Sequence, residues 1–145
     1  MCLNIVPYNR KVQYYETDQM AIVHHSNYIK WFEEARIDLM EQIGYDYKSL
    51  EDRGILMPVL GISGKYIDSI KYGDTINIFL TVTKFTAVKI NFSYIIKDSQ
   101  SSKLKMTGTS EHCFVNKNFS PCSIKKEYPE FYNNILKYIE RQNIN

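Results

Sequence analysis

Residues 14–34 read YYETDQMAIVHHSNYIKWFEE and contain the change of pattern on which the predicted architecture depends. Tyrosine and valine in residues 11–16 favour a pleated, half-buried surface, so this segment is predicted to be the end of a β-strand. Residues 17–19 have the composition of a turn. From Tyr28 onward the apolar period changes from two to 3.6, which predicts a helix over residues 28–43.

This helix is predicted to be the central helix of the protein. Ser26 or Asn27 can cap its start, and Gly44 can end it in a left-handed conformation. A wide apolar arc that contains three aromatic rings is typical of a helix packed against a sheet. Its members are Tyr28, Ile29, Trp31, Phe32, Ala35, Leu39, Met40 and Ile43.

The second half of the chain alternates between apolar and polar residues. Three clean strand patterns are joined by short turns, at residues 76–82, 88–96 and 104–114. Such alternation predicts an antiparallel meander with one buried face, and residues 28–43 are the best partner for that face. The fold class is therefore α+β, with an antiparallel sheet of about five strands wrapped around a central helix.

Two further helices and one irregular strand complete the predicted elements. Residues 46–53 form a predicted short second helix, and residues 129–142 have helical spacing near the C-terminus. Between them, the apolar run at residues 55–62 contains Pro58, which indicates an edge strand, a bulge or a strand start.

Composition excludes several classes of function. A chain of 145 residues is expected to form one domain over residues 1–145, and 44% hydrophobic with 23% charged residues is ordinary for a soluble protein. A net charge of +2 predicts neither a nucleic-acid nor a membrane partner, and no apolar run is long enough for a membrane span. Three cysteines in an odd, unpaired arrangement fit a reducing, cytoplasmic location. We expect no signal peptide and no metal site.

Asp18 and His25 are the candidate chemical groups. They are separated by a loop that ends where the central helix begins. A helix N-terminus has unpaired N–H groups and a positive partial charge, which stabilise a developing oxyanion and favour a neutral imidazole. A carboxylate, a neutral imidazole and a backbone donor can together hydrolyse an acyl compound. On spacing alone, the commoner interpretation is a turn aspartate and a capping or surface histidine.

The same stretch resembles the signature of the hotdog-fold acyl-CoA thioesterases. It is most similar to the 4-hydroxybenzoyl-CoA thioesterase branch and to the thioesterases of the bacterial Tol-Pal operon. The matching positions are Asp18, His25 seven residues later, Tyr14 four residues earlier, and the pair Asn27 and Tyr28. The resemblance continues through residues 31–33 and 66–74 and covers about residues 8–120. Where many relatives have glycine this chain has Ala21, which would be strained at a positive φ but not in an extended loop.

The resemblance implies a fold, a reaction and an assembly. The fold is the hotdog, and the reaction is hydrolysis of an acyl-CoA to a free carboxylic acid and CoA, without a metal or redox cofactor. Asp18 is the implied nucleophile or general base, His25 is implied to orient water or Asp18, and Tyr14 to shape the site or hydrogen-bond to it. Asn27 and Tyr28 contact the substrate. Hotdog domains usually pair, so a homodimer or homotetramer with sites at the subunit interface is expected.

Two alternatives keep the fold but change the function. The substrate can be a thioester of acyl carrier protein, or the protein can bind an acyl thioester without catalysis. A dehydratase on the same fold needs a catalytic histidine in a proline-rich loop, and the chain has no such loop.

Several other polar side chains are given structural roles. His24 is expected to be partly exposed, and His112 to be a satisfied residue of a strand. Glu34 is expected on a solvated helix face or in a pair with Lys30 or Arg36.

Overall fold

Five strands form one antiparallel sheet, as the alternation predicts. The computed structural model describes residues 4–144. Along the sheet the strand order is β1-β3-β4-β5-β2, so β1 and β2 are its two edges. The strands are β1 (Tyr8–Lys11), β2 (Val59–Tyr66), β3 (Thr75–Phe85), β4 (Lys89–Asp98) and β5 (Leu104–Cys113).

Four helices accompany the sheet within the described part of the chain. The long helix α1 (Ser26–Ile43) is followed by the short α2 (Tyr47–Asp52), and the chain ends in α4 (Pro129–Ile144). All three were predicted, whereas the single turn α3 (Ile124–Glu127) was not. Gly44 ends α1 at φ 104°, the left-handed conformation expected for a glycine in this position.

The first strand ends earlier than the sequence predicts. β1 stops at Lys11, and Tyr14–Glu16 form one turn of 3₁₀ helix instead of a strand end. The Glu16 side chain accepts a hydrogen bond from the backbone N–H of Gln13 at 2.8 Å, which closes this turn. A local side-chain acceptor of this kind competes with strand pairing.

The apolar arc of α1 packs against the inner face of the sheet, which confirms the expected hotdog arrangement. Trp31 and Phe32 are completely buried. The Phe32 ring stacks on Tyr94 of β4 with a centroid separation of 4.1 Å. Gly108 of β5 gives this ring its space, because a Cβ there would lie 2.5 Å from Phe32. The contact fixes the first turns of α1 and therefore the position of the loop before it.

A row of polar side chains lies buried between α1 and the sheet. Arg36 donates a hydrogen bond to the Tyr94 hydroxyl at 3.0 Å, and Tyr94 and Ser110 share a hydrogen bond of 2.6 Å. Ser110 in turn bonds His112 Nε2 at 2.7 Å. The His112 ring is thus a buried structural residue, although its Nδ1 atom has no hydrogen-bond partner among the described residues.

Candidate active site

The loop between the 3₁₀ turn and α1 holds Asp18 in a tight turn. Its backbone N–H donates to the Ile22 carbonyl at 3.0 Å, and its carbonyl accepts from the Ala21 N–H at 2.9 Å. Oδ1 accepts a further bond from the Met20 N–H at 2.8 Å. The Oδ2 atom has no hydrogen-bond partner in the described part of the chain, so Asp18 keeps one carboxylate oxygen for another group.

Ala21 adopts φ 63°, in the left-handed region that favours glycine. Of the two conformations considered for Ala21 from the sequence, the strained one with a positive φ is therefore correct. A side chain with a Cβ costs about 1–2 kcal/mol in this conformation.

We expect Ala21→Gly to raise the free energy of unfolding by about 0.5–1 kcal/mol, because relief of strain exceeds the extra entropy of the unfolded chain. Urea unfolding followed by circular dichroism measures the change. Ala35→Gly is the matched control and should have the opposite sign, since Ala35 lies inside α1. A loss of stability in Ala21→Gly would contradict the left-handed conformation.

Most backbone N–H groups at the start of α1 donate hydrogen bonds to acceptors within the protein. His24 N–H donates to the Glu16 carbonyl at 2.8 Å, and Asn27 N–H donates to the His24 carbonyl at 3.0 Å. Ser26 N–H donates to the ring atom His24 Nδ1 at 3.2 Å. The N–H of His25 makes no hydrogen bond with the described residues. It is therefore the backbone donor at this helix start that is available to a substrate oxygen.

The predicted helix cap was wrong by one or two residues. The helix begins at Ser26 with His25 in the capping position, and neither Ser26 nor Asn27 caps it. The His24 ring supplies the acceptor that a serine or asparagine cap would normally provide. His24 is half-buried as predicted, and its ring lies 4.2 Å from the exposed ring of His25.

Asp18 and His25 line the same cleft, which has a volume of about 250 Å³. It lies between the loop before α1 and the turn that follows β2. Most of its walls are apolar, and Asp68 and Ser69 add polar atoms on the far side. The apolar and aromatic lining consists of Met20, Ile22, Val23, Tyr28, Tyr66 and Ile67.

Two ionisable side chains of the cleft, Tyr28 and Asp68, have shifted pKa values. Burial, with a smaller contribution from Tyr66, raises the pKa of Tyr28 to about 12, so its hydroxyl stays neutral at physiological pH. Hydrogen bonds from Lys103 and Lys105 hold the pKa of Asp68 below its ordinary value. Asp68 is therefore an ionised partner of two lysines, whereas Asp18 has no cation bonded to it among the described ion pairs.

The remaining predicted site residues have different surroundings. Tyr28 lines the cleft, and its ring contacts Tyr66 with a centroid separation of 5.2 Å. Asn27 is buried, and its amide nitrogen donates to the Glu16 carbonyl at 2.9 Å. Tyr14 is 76% exposed and packs against Tyr72 outside the cleft lining. Within one chain, then, the structure brings together Asp18, His25 and Tyr28.

Sequence reasoning gave no site role to Tyr66, Ile67 or Asp68, which form the opposite wall. They lie about 50 residues from Asp18 in the chain, so no local spacing could relate them to it. The segment of residues 66–74, which resembles the thioesterase pattern, was the one available signal.

A larger cleft of about 370 Å³ lies elsewhere, between residues 4–8, α1, β3 and α4. It contains Asp38 and Arg141 but neither Asp18 nor His25. We assign the site to the smaller cleft because Asp18, which has an unpaired carboxylate oxygen, and His25, which has an unpaired backbone N–H at the helix start, both line it in the part of the chain that the structure describes. No group of side chains suited to hold a metal ion is present in residues 4–144.

Comparison with known proteins identifies the class to which this fold and site belong. The family model of the thioesterase-like superfamily matches residues 12–132. The chain therefore belongs to the thioesterase-like superfamily and is a thioester hydrolase. In the described residues, no helix has the length and apolar character needed to cross a membrane.

Individual relatives agree with this membership. A putative acyl-CoA thioesterase, YneP, of Bacillus subtilis is 33% identical over 84% of this chain and 88% of its own. A putative esterase of Aquifex aeolicus is 36% identical over 85% of this chain and 94% of its own. A DHNA-CoA thioesterase from Staphylococcus aureus has a TM-score of 0.89 at 27% identity, covering 95% of this chain and 93% of that one.

Proposed function

We propose that this protein hydrolyses an acyl-CoA to a free carboxylic acid and CoA, with Asp18 as general base or nucleophile. One observation carries the proposal. Asp18 and His25 line one apolar-walled cleft inside the family segment. Within the described chain, Asp18 has one carboxylate oxygen without a hydrogen-bond partner, and the backbone N–H of His25 has none. The relatives named as CoA thioesterases support CoA as the carrier of the acyl group.

The reaction follows from these two groups. The thioester carbonyl oxygen accepts a hydrogen bond from the His25 N–H at the positive end of α1, which stabilises the charge that develops there. Asp18 removes a proton from water as the water oxygen attacks the carbonyl carbon. The carbon–sulfur bond then breaks, and the CoA thiolate takes up a proton.

Asp18 can instead attack the carbonyl carbon itself and form an anhydride that water cleaves. Single-turnover hydrolysis in oxygen-labelled water separates the two routes. Direct attack by water labels the product acid in the first turnover, whereas a route through Asp18 leaves the label in the enzyme when water attacks the Asp18 carbonyl of the anhydride.

The other site residues have supporting roles in this proposal. The exposed His25 ring orients water or Asp18, and Tyr28 with Asn27 contacts the acyl group or fixes the loop. Tyr14 is exposed and is not part of the cleft lining of its own chain, so in this proposal it contributes to the site of a neighbouring subunit.

We propose a homodimer or homotetramer in which β2 pairs with β2 of a second copy. The strand is an eight-residue edge whose unpaired backbone groups need a partner. Apolar side chains along and beside it are exposed, including Leu60 at 56% and Tyr66 at 55%. Since Tyr66 lines the cleft, a partner on this edge would complete the site.

We expect Ile62→Lys, in the middle of β2, to give monomers in size-exclusion chromatography with light scattering. The activity should fall by about tenfold, because the cleft loses its second wall. Ile95→Lys is the matched control: Ile95 is 39% exposed against 37% for Ile62, but it lies on a central strand. It should preserve the dimer. An Ile62→Lys protein that remains an active dimer would exclude the β2 interface.

Thiol release from a panel of acyl-CoA esters tests the proposed function. The panel contains short, long and aromatic acyl groups, each also presented on acyl carrier protein. We expect release from CoA esters, and the best acyl group identifies the substrate class. Release only from acyl carrier protein would select that alternative, and binding without release would select the non-catalytic one.

We further propose that residues 1–145 form one domain that acts in the cytoplasm. A single sheet with one continuous core supports the first point. The free cysteines Cys113 and Cys122 support the second, because disulfides are rare in that compartment.

A further inference from the structure

A buried carboxylate lies two residues before Asp18. Glu16 is only 2% exposed, and both of its side-chain oxygens accept hydrogen bonds. Oε1 accepts from Arg10 Nη1 at 2.5 Å and from the Gln13 N–H at 2.8 Å. Oε2 accepts from Trp31 Nε1 at 2.7 Å. The side chain is therefore joined at once to β1, to its own turn and to the core face of α1.

The backbone of the same residue holds the start of α1. The Glu16 carbonyl accepts hydrogen bonds from the His24 N–H at 2.8 Å and from Asn27 Nδ2 at 2.9 Å. One residue further along, Thr17 pairs with Val23 as an antiparallel bridge. Glu16 thus makes hydrogen bonds at both ends of the loop that contains Asp18.

The charge of Glu16 is balanced inside the protein. Burial opposes ionisation, but hydrogen bonds from Arg10, Trp31 and Gln13 outweigh it and hold the Glu16 pKa below its ordinary value. Arg10 lies 4.9 Å above the Trp31 ring and also donates to Glu34 Oε1 at 2.7 Å. Glu16 and Glu34 are therefore two carboxylates bonded to one guanidinium. Among the hydrogen bonds of the described residues, Glu16 bonds to the two ends of the loop, whereas the Glu34 side chain bonds to Tyr8 and Arg10 of β1.

We propose that Glu16 is a positioning residue for the reaction, which sets the distance between the Asp18 carboxylate and the His25 N–H. This inference rests on the proposed function. Its physical basis is that Glu16 anchors the 3₁₀ turn before Asp18 and the residue before His25 to the same point of the core. A displacement of about 1 Å in such a site can lower the rate by about 10²-fold.

Glu16→Gln tests the proposal with a change of nearly constant shape. N–H donors approach both carboxylate oxygens of Glu16. A glutamine side chain must therefore direct its own NH₂ group at one of these donors in either orientation. This repulsion displaces the side chain that holds the loop. We expect kcat for thiol release to fall at least about tenfold, with a smaller change in KM because the apolar walls remain.

Glu34→Gln is the matched control. Both donors to Glu34, Tyr8 and Arg10, approach Oε1, so a glutamine can keep its oxygen there. It removes the same charge from the same guanidinium, and kcat should stay within about twofold of wild type. An equal loss of kcat in both variants would overturn the proposal, as would a normal kcat in Glu16→Gln.

Trp31→Phe decides the question if Glu16→Gln fails to fold. It removes only the donor to Oε2 and keeps an aromatic ring in the core. A kcat at least about threefold lower at similar KM supports positioning, and an unchanged kcat overturns it. Asp18→Asn, assayed in parallel, separates this outcome from failure of the proposed function. An active Asp18→Asn protein would contradict the site itself, whereas an inactive one beside a normal Glu16→Gln would contradict only the role of Glu16.

Discussion

Replacing Asp18 with asparagine is expected to lower kcat for acyl-CoA hydrolysis by about 10³-fold while leaving the fold intact. Asparagine keeps an oxygen that can accept the Met20 N–H, so the turn around residue 18 can retain its hydrogen bond. It lacks the negative charge and the basicity that either route requires, because an amide neither accepts a proton from water nor attacks a carbonyl carbon. Initial rates of thiol release, together with thermal unfolding curves, measure both parts of the expectation.

Asp68→Asn provides the matched control for Asp18→Asn. Asp68 lies in the same cleft and undergoes the same chemical change, but Lys103 and Lys105 are bonded to its carboxylate. Its activity should remain within about threefold of wild type. A near-normal rate in Asp18→Asn would exclude Asp18 as base or nucleophile. An equally large loss of activity in Asp68→Asn would show that the rate depends on the total negative charge of the cleft and not on Asp18 in particular.

Much of the fold could be predicted because one buried face imposes a period on the sequence. The alternation at residues 76–82, 88–96 and 104–114 gave the three longest strands. The structure extends the first at both ends, and the bounds of the other two differ from the prediction by one or two residues. The 3.6 period gave α1 and its burial against the sheet. The 3₁₀ turn at Tyr14–Glu16 escaped prediction because its cause is an individual bond from Gln13 to Glu16. Tyrosine propensity alone favours a strand there.

The candidate site was predictable only where its residues are close in the chain. Spacing alone favoured a turn aspartate and a surface histidine, and the resemblance of residues 14–34 to the thioesterase signature selected Asp18 and His25. The structure places both residues in the lining of one cleft. Tyr66 is the last residue of the edge strand β2, and Asp68 lies in the turn after it, so their approach to Asp18 depends on tertiary packing. Sequence spacing also does not predict which partner an individual polar side chain will bond. Tyr14 is exposed and packs against Tyr72, and its role at the site stays a prediction. Glu34 pairs with Arg10 and Tyr8 instead of Lys30 or Arg36.

The stability of the protein is expected to fall by about 2 kcal/mol between pH 7 and pH 5 because of His112 alone. Burial, assisted by the positive charge of Arg36, lowers the pKa of His112 from 6.5 to about 4. In the unfolded chain the ring binds a proton below pH 6.5, whereas in the folded protein it stays neutral until about pH 4. The unfolded state therefore binds more protons across this interval, so the free energy of unfolding decreases as the pH falls.

Urea unfolding at pH 7, 6 and 5 measures this slope, and His112→Gln should remove most of it. Glutamine can still bond Ser110 but cannot ionise, so the plot of unfolding free energy against pH should become flatter, whatever the change in stability at pH 7. His25→Gln removes an exposed imidazole and should keep the wild-type slope. The lowered pKa of Glu16 acts in a separate range, because its stabilisation is lost only as the pH falls below about 4.5. A wild-type slope in His112→Gln would show that the buried imidazole is not the source.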